Sequence, residues 1–231
     1  MKKYKLLFFD IDDTLLNYKY SEEEALKNIY VYFKSQISFE NLCETYKKIN
    51  HQLWKNLEKN KITFQQLLNT RWDLVLQENK IKTIDPTFLN QKYREYFIDH
   101  TKIFPFVDKI IHALSKKYQM AIITNGFIET QTKRLQKVSL DSFFTYIITP
   151  ESCLACKPSK KIFSFAMSKF PDIKPNDILM IGDNFYSDII GAQRANIDSC
   201  YISNKKIIRD QNNIPTYQIP SIENIKDILL G

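Results

Sequence analysis

The 231-residue chain predicts an α/β fold, a parallel sheet covered by helices on both faces, with an all-helical unit inserted behind the first strand. Three observations predict it. An apolar run from Leu6 to Phe9 leads straight into Asp10, Asp12 and Asp13. From Pro105 onward, short apolar runs alternate with helical stretches of about ten residues. Between these two regions, residues 17 to 100 contain no glycine and one proline, Pro86.

Leu6 to Phe9 is continuously apolar rather than alternating, which reads as a strand buried on both faces. Asp10 then stands at its carboxyl end, with Asp12 beside it, facing the crevice where open α/β sheets bind ligands. Like charges this close repel unless a cation neutralises them, and magnesium suits oxygen ligands of this kind. The plainer alternative is a polar turn with one aspartate capping the next helix. In the insert, Leu42, Tyr46, Ile49, Leu53 and Leu57 recur at three- and four-residue spacing, as do Phe64, Leu67, Leu68 and Leu74, with Trp72 close by. Downstream the pattern predicts helices over Asp108 to Lys117, Glu129 to Val138, Lys160 to Lys169 and Asp188 to Ala195. Strands are predicted over Met120 to Thr124, Tyr146 to Thr149, Ile178 to Ile181 and, last, Ser199 to Ile202. Ile222 to Leu230 reads as one more helix. The predicted division is a sheet domain of residues 1–16 and 101–231 and a helical domain of residues 17–100.

A hydrophobic content of 44% is enough for a sizeable core. The net charge of +7 comes from lysines and arginines spread along the chain, without a block of like charges. That pattern points to anionic small molecules in general and away from a nucleic-acid partner. Cys153 and Cys156 form a lone CxxC with no histidine at ligand spacing, which argues against zinc, and Cys43 and Cys200 are isolated. Met1-Lys2-Lys3 resembles the start of a signal peptide, but Asp10 cuts the apolar run too soon. No stretch approaches a membrane span, so the expectation is a cytoplasmic protein with no membrane partner.

Three later segments place polar groups at strand ends. Ile122-Ile123-Thr124-Asn125-Gly126 closes a strand with a hydroxyl, an amide side chain and a glycine, opening a turn whose backbone N–H groups can hold an anion. Lys157-Pro158 precedes a helix, with the proline expected in its first turn; a lysine there is ordinarily solvated. Gly182-Asp183 ends another strand, so Asp183 stands where Asp10 stands, and Asp188, taken alone, reads as the cap of the next helix. The chain has only four glycines, and Gly126 and Gly182 fall inside these motifs with Gly191 just after.

Asp10-Ile11-Asp12-Asp13-Thr14, Thr124-Asn125-Gly126, Lys157-Pro158 and Gly182-Asp183 with Asp188 together resemble the four motifs of the haloacid dehalogenase superfamily, in order, spacing and placement. The resemblance implies a Rossmann-like parallel-sheet core, and the insert resembles that superfamily's first class of helical cap. Asn50 to Arg71, Thr124-Asn125-Gly126-Phe127 and Lys157-Pro158-Ser159-Lys160-Lys161-Ile162-Phe163 resemble its YjjG/YfnB type, which contains pyrimidine nucleoside 5'-monophosphate phosphatases.

What the resemblance implies is a magnesium-dependent phosphatase acting on small phosphate monoesters, with a nucleotide as the expected substrate. Asp10 is then the nucleophile and Asp12 the general acid and base. Thr124, Lys157 and the amides of Asn125 and Gly126 bind phosphate. The Asp10 carboxylate, the Asp12 backbone carbonyl and Asp183 hold Mg2+, and Asp188 orients Lys157 or a metal-bound water. Trp54 and Phe127 offer faces for a base and Arg71 a charge for a polar edge. As plainer alternatives, Trp54 belongs to the core of its helix and Arg71 to a solvated face. The other readings are a sugar-phosphate or phosphoglycolate-type phosphatase, a phosphomutase, a dehalogenase, or a non-catalytic binding domain. Asp12 favours phosphoryl transfer over dehalogenation, because dehalogenases of the superfamily need no second acid.

Overall fold

A computed structural model describes residues 4–34, 36–59, 61–204 and 214–230; Met1-Lys2-Lys3 lies outside them. The chain forms two compact units, one of Tyr18–Thr101 and one of the residues on either side. In the second of these, six strands form one sheet: β1 (Leu6–Phe9), β2 (Gln119–Ile123), β3 (Ile147–Ile148), β4 (Ile178–Gly182), β5 (Asp198–Ile202) and β6 (Tyr217–Ile219). Their order is β3-β2-β1-β4-β5-β6 and every pairing is parallel, a Rossmann-like arrangement with β1 at its centre.

Successive residues of a strand point to opposite faces, and the core divides accordingly. Leu7, Phe9, Met120, Ile122, Leu179 and Ile181 bury against one side, with Ile110, Leu114, Leu135 and Ile225 from its helices. Leu6, Phe8, Ala121, Ile123, Ile178 and Met180 bury against the other, with Ile162, Phe163 and Ala192. The unbroken apolar run of β1 thus has a physical cause. Phe9 pairs with Ile122 on one side and Ile181 on the other, so Asp10, Thr124 and Asp183 leave neighbouring strands near one level. Asp13 turns the chain there in a left-handed conformation (φ 59°), which aspartate tolerates better than most residues.

The helical unit contains α1 (Tyr18–Tyr30), α2 (Phe39–Glu58), α3 (Phe64–Glu78) and α4 (Pro86–Asp99). Three of its starts carry side-chain caps. Ser38 accepts from the Asn41 N–H, Thr63 and Gln66 form a reciprocal capping box, and Asp85 caps α4 with Pro86 in its first turn. Trp72 is the hub of the core, its ring centroid 5.2 Å from that of Tyr46 and 5.6 Å from that of Tyr93. Of the predicted stripe, Leu74 faces solvent while Val75 and Leu76 are buried in its place. No helix among the described residues is long and apolar enough to cross a membrane.

The remaining helices are α5 (Val107–Ser115), α6 (Ile128–Lys137), α7 (Pro150–Cys153), α8 (Lys160–Ser168), α9 (Gly191–Arg194) and α10 (Ile225–Leu229). Three expectations need correction. Ser199 to Ile202 is not the last strand, since β6 adds to its edge. The helix expected from Asp188 begins earlier, as a π-helical turn over Phe185–Ile190 that runs into α9. Pro158 lies outside α8, which Ser159 caps; the Lys157-Pro158 peptide bond is cis.

Candidate active site

Lys157 is the centre of the site. It is a lysine with 1% exposure, and its ammonium donates to Asp10 Oδ1 at 2.6 Å and to Asp188 Oδ1 at 2.7 Å. A buried ammonium is tolerated only with such partners. Its backbone is held equally firmly. The Asn125 side chain accepts from the Lys157 N–H at 2.7 Å and donates to the Lys157 carbonyl at 3.1 Å. The amide side chain of Asn125 therefore ties the turn after β2 to the Lys157 loop, and its backbone N–H is what it has left for an anion.

Asp188 does not cap a helix. Asn184 takes that place, accepting from the N–H groups of Tyr186 and Ser187, while Asp188 turns inward, wholly buried, and accepts from the Asn184 N–H at 3.0 Å. Gly182 makes this possible: a Cβ at that position would lie 2.2 Å from Asp188 Oδ2. Asp183 accepts from the Thr14 hydroxyl at 3.2 Å. Ligand oxygens of Asp10, Asp183 and Asp188 all lie within 4.8 Å of one another, which fits a hard divalent cation. A zinc-like donor set is not what the site offers, since every donor is oxygen.

Thr124 is buried at the end of β2, and its Oγ1 accepts from the Gly126 N–H at 3.1 Å and from Gln131 Nε2 at 3.2 Å. Two donors fill a hydroxyl's acceptor sites, so its own O–H is directed elsewhere. Asp12 is held by groups that the sequence reading did not single out: Arg134 donates to its Oδ1 at 2.5 Å and Gln131 to its Oδ2 at 2.7 Å. Both belong to α6 at a spacing of three, the one available signal that they share a face. Of the three residues expected near a substrate, Trp54 is half-buried with its ring edge-on to Phe64, outside the aromatic core of its unit. Phe127 is half-buried at the start of α6. Arg71 is not solvated. It is buried, donating to Asn50 Oδ1 at 3.2 Å with its guanidinium 4.9 Å from the Tyr93 ring centroid.

Electrostatics follow from this crowding. Burial pushes the Asp10 carboxyl well above the ordinary aspartate range; the Lys157 charge opposes the shift, and Asp188, Asp183 and Asp12 add to it. Burial also raises Asp183 to about 7, with the Asp188 charge as the second cause. Burial alone would lower Lys157, but Asp10 and Asp188 carry it above the usual lysine value. A carboxyl raised on folding is protonated in the folded chain where the unfolded chain has already lost its proton. For Asp183 that window runs from about pH 4 to pH 7, so cation-free stability falls as pH rises through it and levels off above. The expected result is a gain in melting temperature on adding excess divalent cation over EDTA that is several degrees larger at pH 8 than at pH 5. A gain independent of pH would show that carboxylate crowding does not govern the site.

A fold of this topology with acidic groups and a threonine at its strand ends, and a buried lysine from the loop before α8 among them, defines a class, and comparison with known proteins agrees. Residues 7–202 match the model of the haloacid dehalogenase-like hydrolases, and the chain belongs to that family. It is 33% identical to YfnB of Bacillus subtilis, named as a HAD-hydrolase, over 99% of this chain and 97% of that one. The crystal structure of YfnB bound to magnesium superposes with a TM-score of 0.89 at 32% identity, covering 100% of both chains. Pyrimidine 5'-nucleotidase PynA of Streptococcus pneumoniae is 28% identical over 98% of this chain and 95% of its own. Pyrimidine 5'-nucleotidase YjjG of Escherichia coli is 25% identical over 98% of both.

Proposed function

We propose that the protein is a magnesium-dependent phosphatase of nucleoside 5'-monophosphates, with pyrimidine nucleotides preferred, acting through an aspartyl phosphate. The observation that carries this is the meeting of Asp10 and Asp183, at adjacent strand ends, with Lys157 from the loop before α8 and Asp188 from the π-helical turn. The pyrimidine preference is supported by similarity to PynA and YjjG.

An Asp10 carboxylate oxygen bonds to phosphorus in line with the ester oxygen, whose bond to phosphorus breaks. Asp12 gives a proton to that departing oxygen, then takes one from the water that attacks phosphorus and regenerates Asp10. The Thr124 hydroxyl and the Asn125 and Gly126 backbone amides grip the phosphoryl oxygens. For Gly126 this means exchanging its bond to Thr124 Oγ1 for one to the anion. Lys157, fixed by Asp188, offsets the charge of the transferring group. Asp10, Asp183 and the Asp12 carbonyl would hold magnesium, whose charge lets an anionic nucleophile approach an anionic ester. For the base, Phe127 of the sheet unit supplies a ring face. The setting is a reducing cytoplasm, consistent with Cys43, Cys153, Cys156 and Cys200 all being thiols.

The test is phosphate release across pyrimidine and purine nucleoside monophosphates, sugar phosphates and phosphoglycolate, with magnesium and with EDTA. The expected pattern is highest kcat/KM on uridine or cytidine monophosphate, loss of activity in EDTA, and recovery with magnesium. Best turnover of a small sugar phosphate would overturn the nucleotide assignment, and indifference to EDTA the metal.

A further inference from the structure

The pair on α6 that grips Asp12 has no part in the mechanism above. Arg134 is 0% exposed, although a guanidinium is among the costliest groups to bury without a partner. The partner it finds is Asp12, whose side chain is 29% exposed at the site. Gln131 completes a closed set of bonds: its Oε1 accepts from Arg134 at 2.9 Å, and its Nε2 donates to both Asp12 Oδ2 at 2.7 Å and Thr124 Oγ1 at 3.2 Å. Because Arg134 demands an acceptor from it and Asp12 a donor, the Gln131 amide has one orientation. Asp12 meets a separate donor on each oxygen, which sets the plane of its carboxyl group as well as its place. Room for this amide comes from Gly126, where a Cβ would lie 2.3 Å from Gln131 Nε2.

We propose that Arg134 and Gln131 are positioning residues that aim the Asp12 carboxyl group at the departing ester oxygen and tie it to the phosphate-gripping Thr124; this rests on the role proposed above for Asp12. In the first step the Asp10–phosphorus bond forms, the ester bond breaks and the Asp12 proton goes to the leaving oxygen. An alkoxide leaving group needs that proton, whereas p-nitrophenolate departs without it. kcat/KM covers only the steps through aspartyl phosphate formation, so it isolates this transfer from the later hydrolysis that all substrates share.

The test compares kcat/KM for p-nitrophenyl phosphate with that for the alkyl phosphate that the wild type turns over best, in Asp12→Asn, Arg134→Met, Arg134→Lys and Gln131→Leu. The ratio is taken within one preparation, so it does not depend on the fraction folded. The alkyl-to-aryl ratio is expected to fall about 100-fold in Asp12→Asn and about tenfold or more in Arg134→Met and Gln131→Leu, with partial recovery in Arg134→Lys. If Asp12→Asn lowers the ratio while Arg134→Met and Gln131→Leu leave it unchanged, the pair is structural and the inference fails alone. If Asp12→Asn leaves the ratio unchanged, Asp12 is not the acid, and both readings fall.

Discussion

Asp10→Asn is expected to lower turnover by about 10⁴-fold or more while the protein stays folded. The substitution keeps the shape of the side chain and its place after β1, where the Asp10 N–H donates to the Ile181 carbonyl at 2.9 Å. It removes the oxygen that bonds to phosphorus. Stability is expected to move little, because two effects oppose each other. The amide loses the charged partner of Lys157, but it also ends the repulsion of Asp10 by Asp183 and Asp188. Melting temperatures in EDTA within a few degrees of wild type would bear this out. Acid-quenched reactions with labelled substrate should trap phosphate on the wild type and none on the variant. A variant retaining a tenth of wild-type turnover would rule out Asp10 as the nucleophile.

The parts of the site that could be read from sequence are those set by strand ends. A run such as Leu6 to Phe9 fixes where a buried strand stops, and in a parallel sheet all such stops share one edge, so Asp10, Thr124 and Asp183 group together from sequence alone. Arg134 does not. A charged residue on a short helix reads as solvated, and what buries it is Asp12, 122 positions away in the chain. Arg71 reads as solvated for the same reason, its partner Asn50 standing on another helix. Asp188 taken alone reads as a cap because nothing local separates it from Asn184, four residues earlier and equally suited to capping; the space left at Gly182 is what lets Asp188 turn inward. The strand β6 is not legible because three residues with one buried position carry no usable period.

Lys157→Met should have the largest effect on stability of any single change in the site. Lys157, Asp188 and Asp10 are all buried, and the ammonium opposes the mutual repulsion of the carboxylates. Methionine keeps the volume and removes the charge, leaving carboxylates with no neutralising group. Breaking a buried pair on one side costs about 3–5 kcal/mol, which for a chain of this length is a fall in melting temperature on the order of 10 °C in EDTA at pH 8. The sign with pH is fixed by the same groups. Without the lysine the Asp10 carboxyl loses the charge that opposes its upward shift and keeps its proton to higher pH, so the deficit should shrink at pH 5. A divalent cation takes over part of the charge, so magnesium should raise the melting temperature of the variant more than that of the wild type. Turnover with magnesium should nonetheless fall about 10²- to 10³-fold, because a cation at the carboxylates does not replace the ammonium beside the transferring phosphoryl group. Melting within two degrees of wild type under EDTA at pH 8, a margin of roughly half a kcal/mol, would mean that Lys157 is not what holds these acids together.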